Sequence, residues 1–370
     1  MSARSKRNQP VGDMFDGMPD ILAKQPPKAA EGDHEIRTLD EAIARSHEIL
    51  DQALAEHPVV GTFWLFSGGN DSVIVGHLLR GRYDAVLHVN TGTGIPETTA
   101  HVRAVAKVWG ETLHELHPKN RYEDLVLGKV IAGSGPNAGW RPIWKGFPGP
   151  AGHKVMYRQL KNEPLMRFRR ETLGDQKNLP RAERKKIIYL GGMRWAESDK
   201  RFRNAEAIDP DGSIVWVSPL VHWTDAHMRE YRARHRCQEQ HDHAEHRLCR
   251  PDALPLNPVT EHLHMSGECL CGAYAKPGEL DEIEFFYPET AARLRALETE
   301  AEQAGMPYCK WGQPNGKPAS GAPAGRLCSS CVVPEGQDEL ASFWLERGLI
   351  DVTQAALLGH SDDEPDGRRA

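Results

Sequence analysis

The chain of 370 residues has no apolar run approaching the roughly 18 residues that a membrane span requires, and residues 1–8 lead into no apolar signal core. Both absences point to a cytoplasmic protein without a membrane partner. Positive charge is not in excess either: 46 Lys and Arg stand against 52 Asp and Glu, for a formal net charge of -6. That balance excludes a surface coated for nonspecific nucleic-acid binding and leaves room only for a local patch. The basic clusters Arg167, Arg169, Arg170 and Arg181, Arg184, Lys185, Lys186 read first as solvated helix faces, so a nucleic-acid partner is possible but unsupported by the charge. No internal repeat is present, which removes repeat architectures. Cysteine is scarce, with seven in all. In a reducing compartment these are thiols rather than disulfides, and their spacing is read for metal or redox chemistry.

What remains is a composition of 39% hydrophobic and 26% charged residues, enough for one large globular domain with additions. Residues 1–35 are polar, contain Pro26 and Pro27, and read as a flexible lead-in. Residues 36–235 carry the fold. Thr38 and Glu41 form a capping-box pattern ahead of a helical period, and "VVGTFWLF" then reads as a buried strand. Helices are expected over 72–80 and 97–109, strands over "DAVLHVN" and "ETLHELH", another helix over "HKVMYRQLKNEPLMRFRRETL", and another strand in "KKIIYLGGMR". This alternation predicts an α/β fold with a parallel sheet. Residues 118–152, rich in Gly and Pro, read as a long surface loop near a site. Residues 236–349 form a Cys-rich region expected to bind metal, and 350–370 a loose polar tail.

The stretch "LFSGGNDSVIV" joins a strand to a helix through Ser67, Gly68, Gly69, Asn70, Asp71 and Ser72. A strand that enters a tight glycine turn and leaves as a helix gathers backbone N–H groups around one point, and the helix dipole adds positive potential there. Such a point binds an anion. Gly68 and Gly69 permit the turn, while Ser67 and Ser72 supply hydroxyl donors. Asp71 would repel phosphate unless it caps the helix or meets a cation such as magnesium. The Walker loop is excluded, because no Gly-Lys-Ser/Thr follows, and "GTG" at 92–94 is only a fragment of the dinucleotide fingerprint.

These residues resemble the SGGxDS pyrophosphate loop of the PP-loop ATP pyrophosphatases. "NTGTGIPETTAHVRAVAKVWG", "GGMRWAESDKR" and "WVSPLVHWTDAHMREY" are similar to later motifs of one branch. That branch contains the phosphoadenylyl-sulfate (PAPS) reductases, the small subunit of ATP sulfurylase and the PP-loop enzymes of DNA phosphorothioation. The resemblance covers about residues 55–235 and implies a Rossmann-like, adenine nucleotide alpha hydrolase-like domain with a Cys-rich C-terminal extension. It further implies that Ser67, Gly68, Gly69, Asn70, Asp71 and Ser72 hold ATP phosphates, with Mg2+ as companion ion, and that Asn90, Thr91 and Gly92 lie along the nucleoside. Many relatives have Asp at the position of Asn90, which leaves a metal or ribose role for that side chain open. Lys161, in a K-x-x-P-L segment, corresponds to a lysine that faces the nucleotide. Arg194, Glu197 and Arg201 would share one helix face, with the arginines forking onto phosphate or sulfate and Glu197 orienting one of them. A plain salt-bridge ladder has the same pattern.

Relatives often carry cysteines just before that lysine; here "HKVMY" has none. Cys269 and Cys271 with Cys328 and Cys331 offer four thiolates, a set suited to an iron-sulfur cluster or a structural zinc. The recurrence of such clusters among these relatives favours [4Fe-4S], with Zn2+ as the alternative. Cys237 and Cys249, with His241, His243 and His246 between them, read first as a solvated loop, and Cys309 as a buried thiol.

Three functions follow from the resemblance. One is cleavage of ATP to AMP and pyrophosphate to activate a substrate, with a sulfur donor or sulfur-transfer protein as partner. A second is reduction of adenylyl sulfate or PAPS by a thiol nucleophile. The third is a non-catalytic nucleotide-binding component of a sulfur-modification or defence assembly. The intact Gly-Gly-x-Asp core favours the first, as does a final segment without the Glu-Cys-Gly thiol of reductases.

Overall fold

The computed structural model describes residues 36–135, 138–180, 183–197, 205–236, 253–276 and 278–313. Helix α1 (Leu39–Glu56) starts at the expected capping box: the Glu41 amide donates to Thr38 Oγ1 at 3.2 Å, and the Thr38 amide donates to Glu41 Oε2 at 3.0 Å. The predicted alternation then appears as β1 (Val59–Leu65), α2 (Asn70–Leu78), β2 (Ala85–Val89), α3 (Pro96–Trp109) and β3 (Leu113–Leu116). After α4 (Tyr122–Val126) come α5 (His153–Tyr157), a π-helical turn (Arg158–Asn162) and α6 (Glu163–Leu173). Strands β4 (Lys186–Leu190), β5 (Ile208–Asp211) and β6 (Ile214–Val217) precede α7 (Asp225–His235).

The six strands form one sheet in the order β3-β2-β1-β4-β6-β5, parallel except where β5 runs antiparallel to β6. From β1 the chain builds outward through β2 and β3, and it then returns to place β4 on the other side. The strand order therefore reverses between β1 and β4. Crevices beyond the carboxyl ends of such a strand pair are where open α/β sheets bind ligands. Alternation along β1 explains the layers. Trp64 and Phe66 enter a core with α1, α2, α3 and α7, whereas Phe63 packs with Leu87, Ile187 and Tyr189 against Leu165 and Phe168 of α6.

A second core lies at the carboxyl end of the sheet. It joins Ile95, Tyr122, Leu125, Phe147 and Leu160 to α8 (Pro258–Leu263), α9 (Glu279–Phe286) and α10 (Pro288–Gln303). Residues 118–152 are accordingly more than the expected surface loop. They contain α4 and a bridge between Ile131 and Pro142, and Phe147 is fully buried. Their apolar residues show no local period because their partners lie more than a hundred residues downstream. Among the described residues no helix is long and apolar enough to cross a membrane.

Candidate nucleotide site

The turn after β1 is the candidate anion cradle. Gly68 has φ +80°, a left-handed conformation that side chains disfavour. Gly69 is the N-cap of α2 with φ -83° and no side-chain capping bond, so a nine-residue helix starts at the turn and its dipole places positive potential there. Ser67 and Ser72 hydroxyls lie 3.1 Å apart, and Ser72 Oγ donates to the Gly69 carbonyl at 2.9 Å. Asn70 opens the helix.

Asp71 meets its cation inside the protein. Its Oδ2 is 3.3 Å from Nε of Arg194, whose side chain is 1% exposed, and Arg194 also donates to Asp225 Oδ1 at 2.9 Å. Burial disfavours the guanidinium charge, but Asp71 and Asp225 outweigh it and raise the Arg194 pKa. The helical face of Arg194, Glu197 and Arg201 requires a helix that runs through residues 198–201, which lie outside the described residues. Among the described residues a 3-10 turn (Trp195–Glu197) follows β4, with Arg194 ahead of it. Arg194 bridges the phosphate loop to the first residue of α7, where the sequence reading had it fork onto a ligand. Glu197 ends the turn, and Arg201 lies outside the described residues.

Lys161 sits in the π-helical turn. Pro164, two residues beyond that turn, cannot donate to the Leu160 carbonyl, which accounts for the widened helix at this position. Lys161 Nζ donates to Glu268 Oε2 at 2.6 Å, and the Glu268 side chain is 7% exposed. Burial works against the lysine charge, yet the Glu268 carboxylate prevails and holds it protonated. Glu268 adjoins Cys269. The Cys271 thiol hydrogen-bonds Cys269 and lowers its pKa, Lys161 and Thr93 acting in the same direction, while that bond and burial raise Cys271.

The nucleoside loop is fully engaged by protein. Asn90 Nδ2 donates to Glu115 Oε1 at 2.8 Å, and its Oδ1 accepts from the Gly92 amide at 3.0 Å. Asn90 thus shapes the turn, with both side-chain polar atoms in use. Thr91 Oγ1 donates to the Glu268 carbonyl at 2.9 Å, Thr93 Oγ1 accepts from the Leu270 amide at 3.0 Å, and the Ile95 amide donates to the Gly267 carbonyl at 2.8 Å. The segment bearing Cys269 and Cys271 therefore forms a wall of the site.

Four residues of the site, Asn257, Asp225, Glu268 and Arg293, are not assigned from the sequence, and Gly192 has a role that its motif does not show. Asn257 donates to the Gly68 carbonyl at 2.9 Å, fixing the phosphate loop from the C-terminal region. A Cβ on Gly192 would stand 2.8 Å from the Asp71 carbonyl carbon, so β4 can approach the loop only with glycine there. Asp225, Glu268 and Arg293 are the others, and none has a local signal except Asp225, next to the Thr224 cap in "HWTDAH". Among the described residues no group of three or more Cys, His, Asp or Glu is arranged to hold a metal. Cys309 is half-buried rather than buried, and Cys328, Cys331, Cys237, Cys249, His241, His243 and His246 lie outside the described residues.

No curated protein matches the chain. Among solved structures it is similar to the phosphoadenylyl-sulfate (PAPS) reductase from Candida auris in its phosphate complex. The identity is 16%, with 60% of this chain and 89% of that chain covered, and a TM-score of 0.36. Residues 61–241 match the phosphoadenosine phosphosulfate reductase domain. This span starts in β1, includes the loop Ser67–Ser72, Lys161 and Arg194, and ends past α7, so the part of the chain that is similar to that domain is the part that builds the candidate site.

Proposed function

We propose that the protein is an enzyme that binds ATP with its phosphates on Ser67–Ser72, cleaves it to AMP and pyrophosphate, and thereby activates a substrate for sulfur transfer. The observation that carries this reading is the intact loop: a left-handed Gly68 leads into the N-terminus of α2 at the strand-order reversal. In this chemistry an oxygen of the substrate attacks the α-phosphorus, the bond to the β-phosphate oxygen breaks, and pyrophosphate leaves. The N-terminal dipole of α2 stabilises the departing charge, and the Ser67 and Ser72 hydroxyls would turn from each other and from the Gly69 carbonyl to donate to it. Lys161 holds a positive charge at the wall between loop and thiols, balanced by Glu268. Magnesium accompanying the triphosphate would find Asp71 already neutralised, so we assign Asp71 to holding Arg194.

A second reading, reduction of adenylyl sulfate or PAPS, is favoured by one observation: Cys269 lies beside Lys161 and the nucleoside loop, and Cys271 lies within hydrogen-bond reach of it. The Cys269 thiolate would attack the sulfonate sulfur and release the nucleotide. The Cys271 thiolate would then attack Cys269 sulfur, releasing sulfite and leaving a disulfide. Anaerobic incubation with ATP, adenylyl sulfate or PAPS separates the two. The first reading expects pyrophosphate and AMP from ATP in the presence of acceptor; sulfite formed without ATP consumption, and lost in Cys269→Ser, replaces it with the second.

Cys269 and Cys271 also fit a metal centre, since their thiols meet and Trp311 Nε1 donates to the intervening Leu270 carbonyl at 2.8 Å. With Cys328 and Cys331 they would hold a [4Fe-4S] cluster, or alternatively Zn2+, supplying a redox or structural centre. Anaerobically purified protein is then expected to be brown, with iron and sulfide lost in Cys271→Ser. Stoichiometric zinc in a colourless protein selects the alternative, and metal-free protein removes the centre and leaves Cys269 to thiol chemistry.

A further inference from the structure

We propose that Arg293 is a positioning residue of the nucleotide site, setting the nucleoside loop from outside while Asn257 sets the phosphate loop. The inference rests on the reading that an adenine nucleotide spans Ser67–Ser72 and Asn90–Gly92. Arg293 belongs to α10 and is anchored there by the buried Ala291 and Leu294 on either side. Its guanidinium donates to three successive carbonyls: Gly92 at 2.9 Å, Thr93 at 2.7 Å and Gly94 at 3.2 Å. Three converging carbonyls fix the course of the backbone between them.

The loop requires such a hold. Gly92 has φ +75° with open space around it, and Gly94 has no side chain to anchor, so local sequence leaves these peptides free to rotate. Thr91 and Thr93 hold the inner side of the loop through Glu268 and Leu270, and Arg293 holds the outer side. Arg293 is exposed, so its charge is screened by water and it acts through the geometry of its donors. Lysine, a single rotatable ammonium, cannot reproduce the fork. Asn257 is 4% exposed and contacts Gly68 and Thr98, none of the three carbonyls that Arg293 holds. The two residues therefore govern different ends of one ligand.

The test uses the full chain and two probes, AMP and inorganic pyrophosphate, with affinities from calorimetry. Arg293→Met is expected to weaken AMP binding about tenfold and leave pyrophosphate binding within about twofold, with Arg293→Lys between. Asn257→Ala is expected to show the opposite order, with pyrophosphate weakened more. Hydrogen exchange provides a readout without ligand: the amides of residues 93–95 are expected to exchange faster in Arg293→Met, with 69–73 unchanged. AMP affinity equal to the wild type would overturn the proposal. So would an equal loss of both probes together with a lowered melting temperature, which marks a merely structural role. Wild-type protein that binds neither probe would instead overturn the nucleotide reading, and Arg293 would then be only a loop clamp.

Discussion

Gly68→Ala is expected to weaken ATP binding at least about 100-fold, whereas Gly69→Ala, one residue on, costs less than about fivefold. The two glycines look equivalent in the sequence, and the backbone separates them. At Gly68 a side chain must adopt φ +80°, and its Cβ would lie 2.8 Å from Thr98 Cγ2 and 3.2 Å from Asn257 Nδ2. The left-handed conformation alone costs about 1–2 kcal/mol. Relief by rotating the peptide would move the Gly68 carbonyl off Asn257 and turn the α2 N-terminus away from the phosphates. At Gly69 φ is -83°, and the nearest atom to an added Cβ is Ser266 Cβ at 3.3 Å, a contact that a small shift relieves. Calorimetry with ATP and with pyrophosphate, alongside thermal melting, checks this. Equal losses at both positions would show that bulk near the loop matters and its conformation does not. Unchanged affinity in Gly68→Ala would remove the anion cradle from the site.

This contrast shows how far local sequence reaches. The strands and helices around the loop were legible from local signals such as the Thr38–Glu41 box and the apolar run that ends in Phe63, Trp64 and Leu65. The parallel sheet followed from their order. Three things were not legible. The core formed by Phe147, Tyr122 and Leu160 depends on helices α8 to α10, which no local pattern connects to it. The hold of Arg293 on Gly92, Thr93 and Gly94 spans about two hundred residues and uses carbonyls, which the sequence does not distinguish. Arg194 is legible as a site residue from the G-x-R pattern, but its carboxylate partners Asp71 and Asp225 are not. Sequence spacing treats an arginine near a phosphate loop as a ligand donor, and burial decides otherwise: at 1% exposure a guanidinium must be neutralised by the protein before any ligand arrives.

The second large effect follows from that burial. Arg194→Met is expected to lower stability by about 3–5 kcal/mol, because removing one member of a buried ionic group leaves its partners uncompensated. Two carboxylates, Asp71 and Asp225, converge on this guanidinium from the phosphate loop and from the first residue of α7. Without it they repel each other, and the loop separates from the helix. Both are still neutralisable, so adding Asp225→Asn to Arg194→Met is expected to recover part of the loss, an interaction that a double-mutant cycle measures directly. Arg194→Lys keeps the charge but lacks the fork that reaches both carboxylates, and it is expected to fall between. Urea denaturation of the wild type, Arg194→Met, Arg194→Lys, Asp225→Asn and the double variant gives the stabilities, and ATP calorimetry gives the consequence for the loop. A stable Arg194→Met that loses only ATP affinity would return Arg194 to the ligand, as the sequence pattern implies. A large stability loss with no rescue by Asp225→Asn would mean that packing of the long side chain, rather than its charge, joins the phosphate loop to α7.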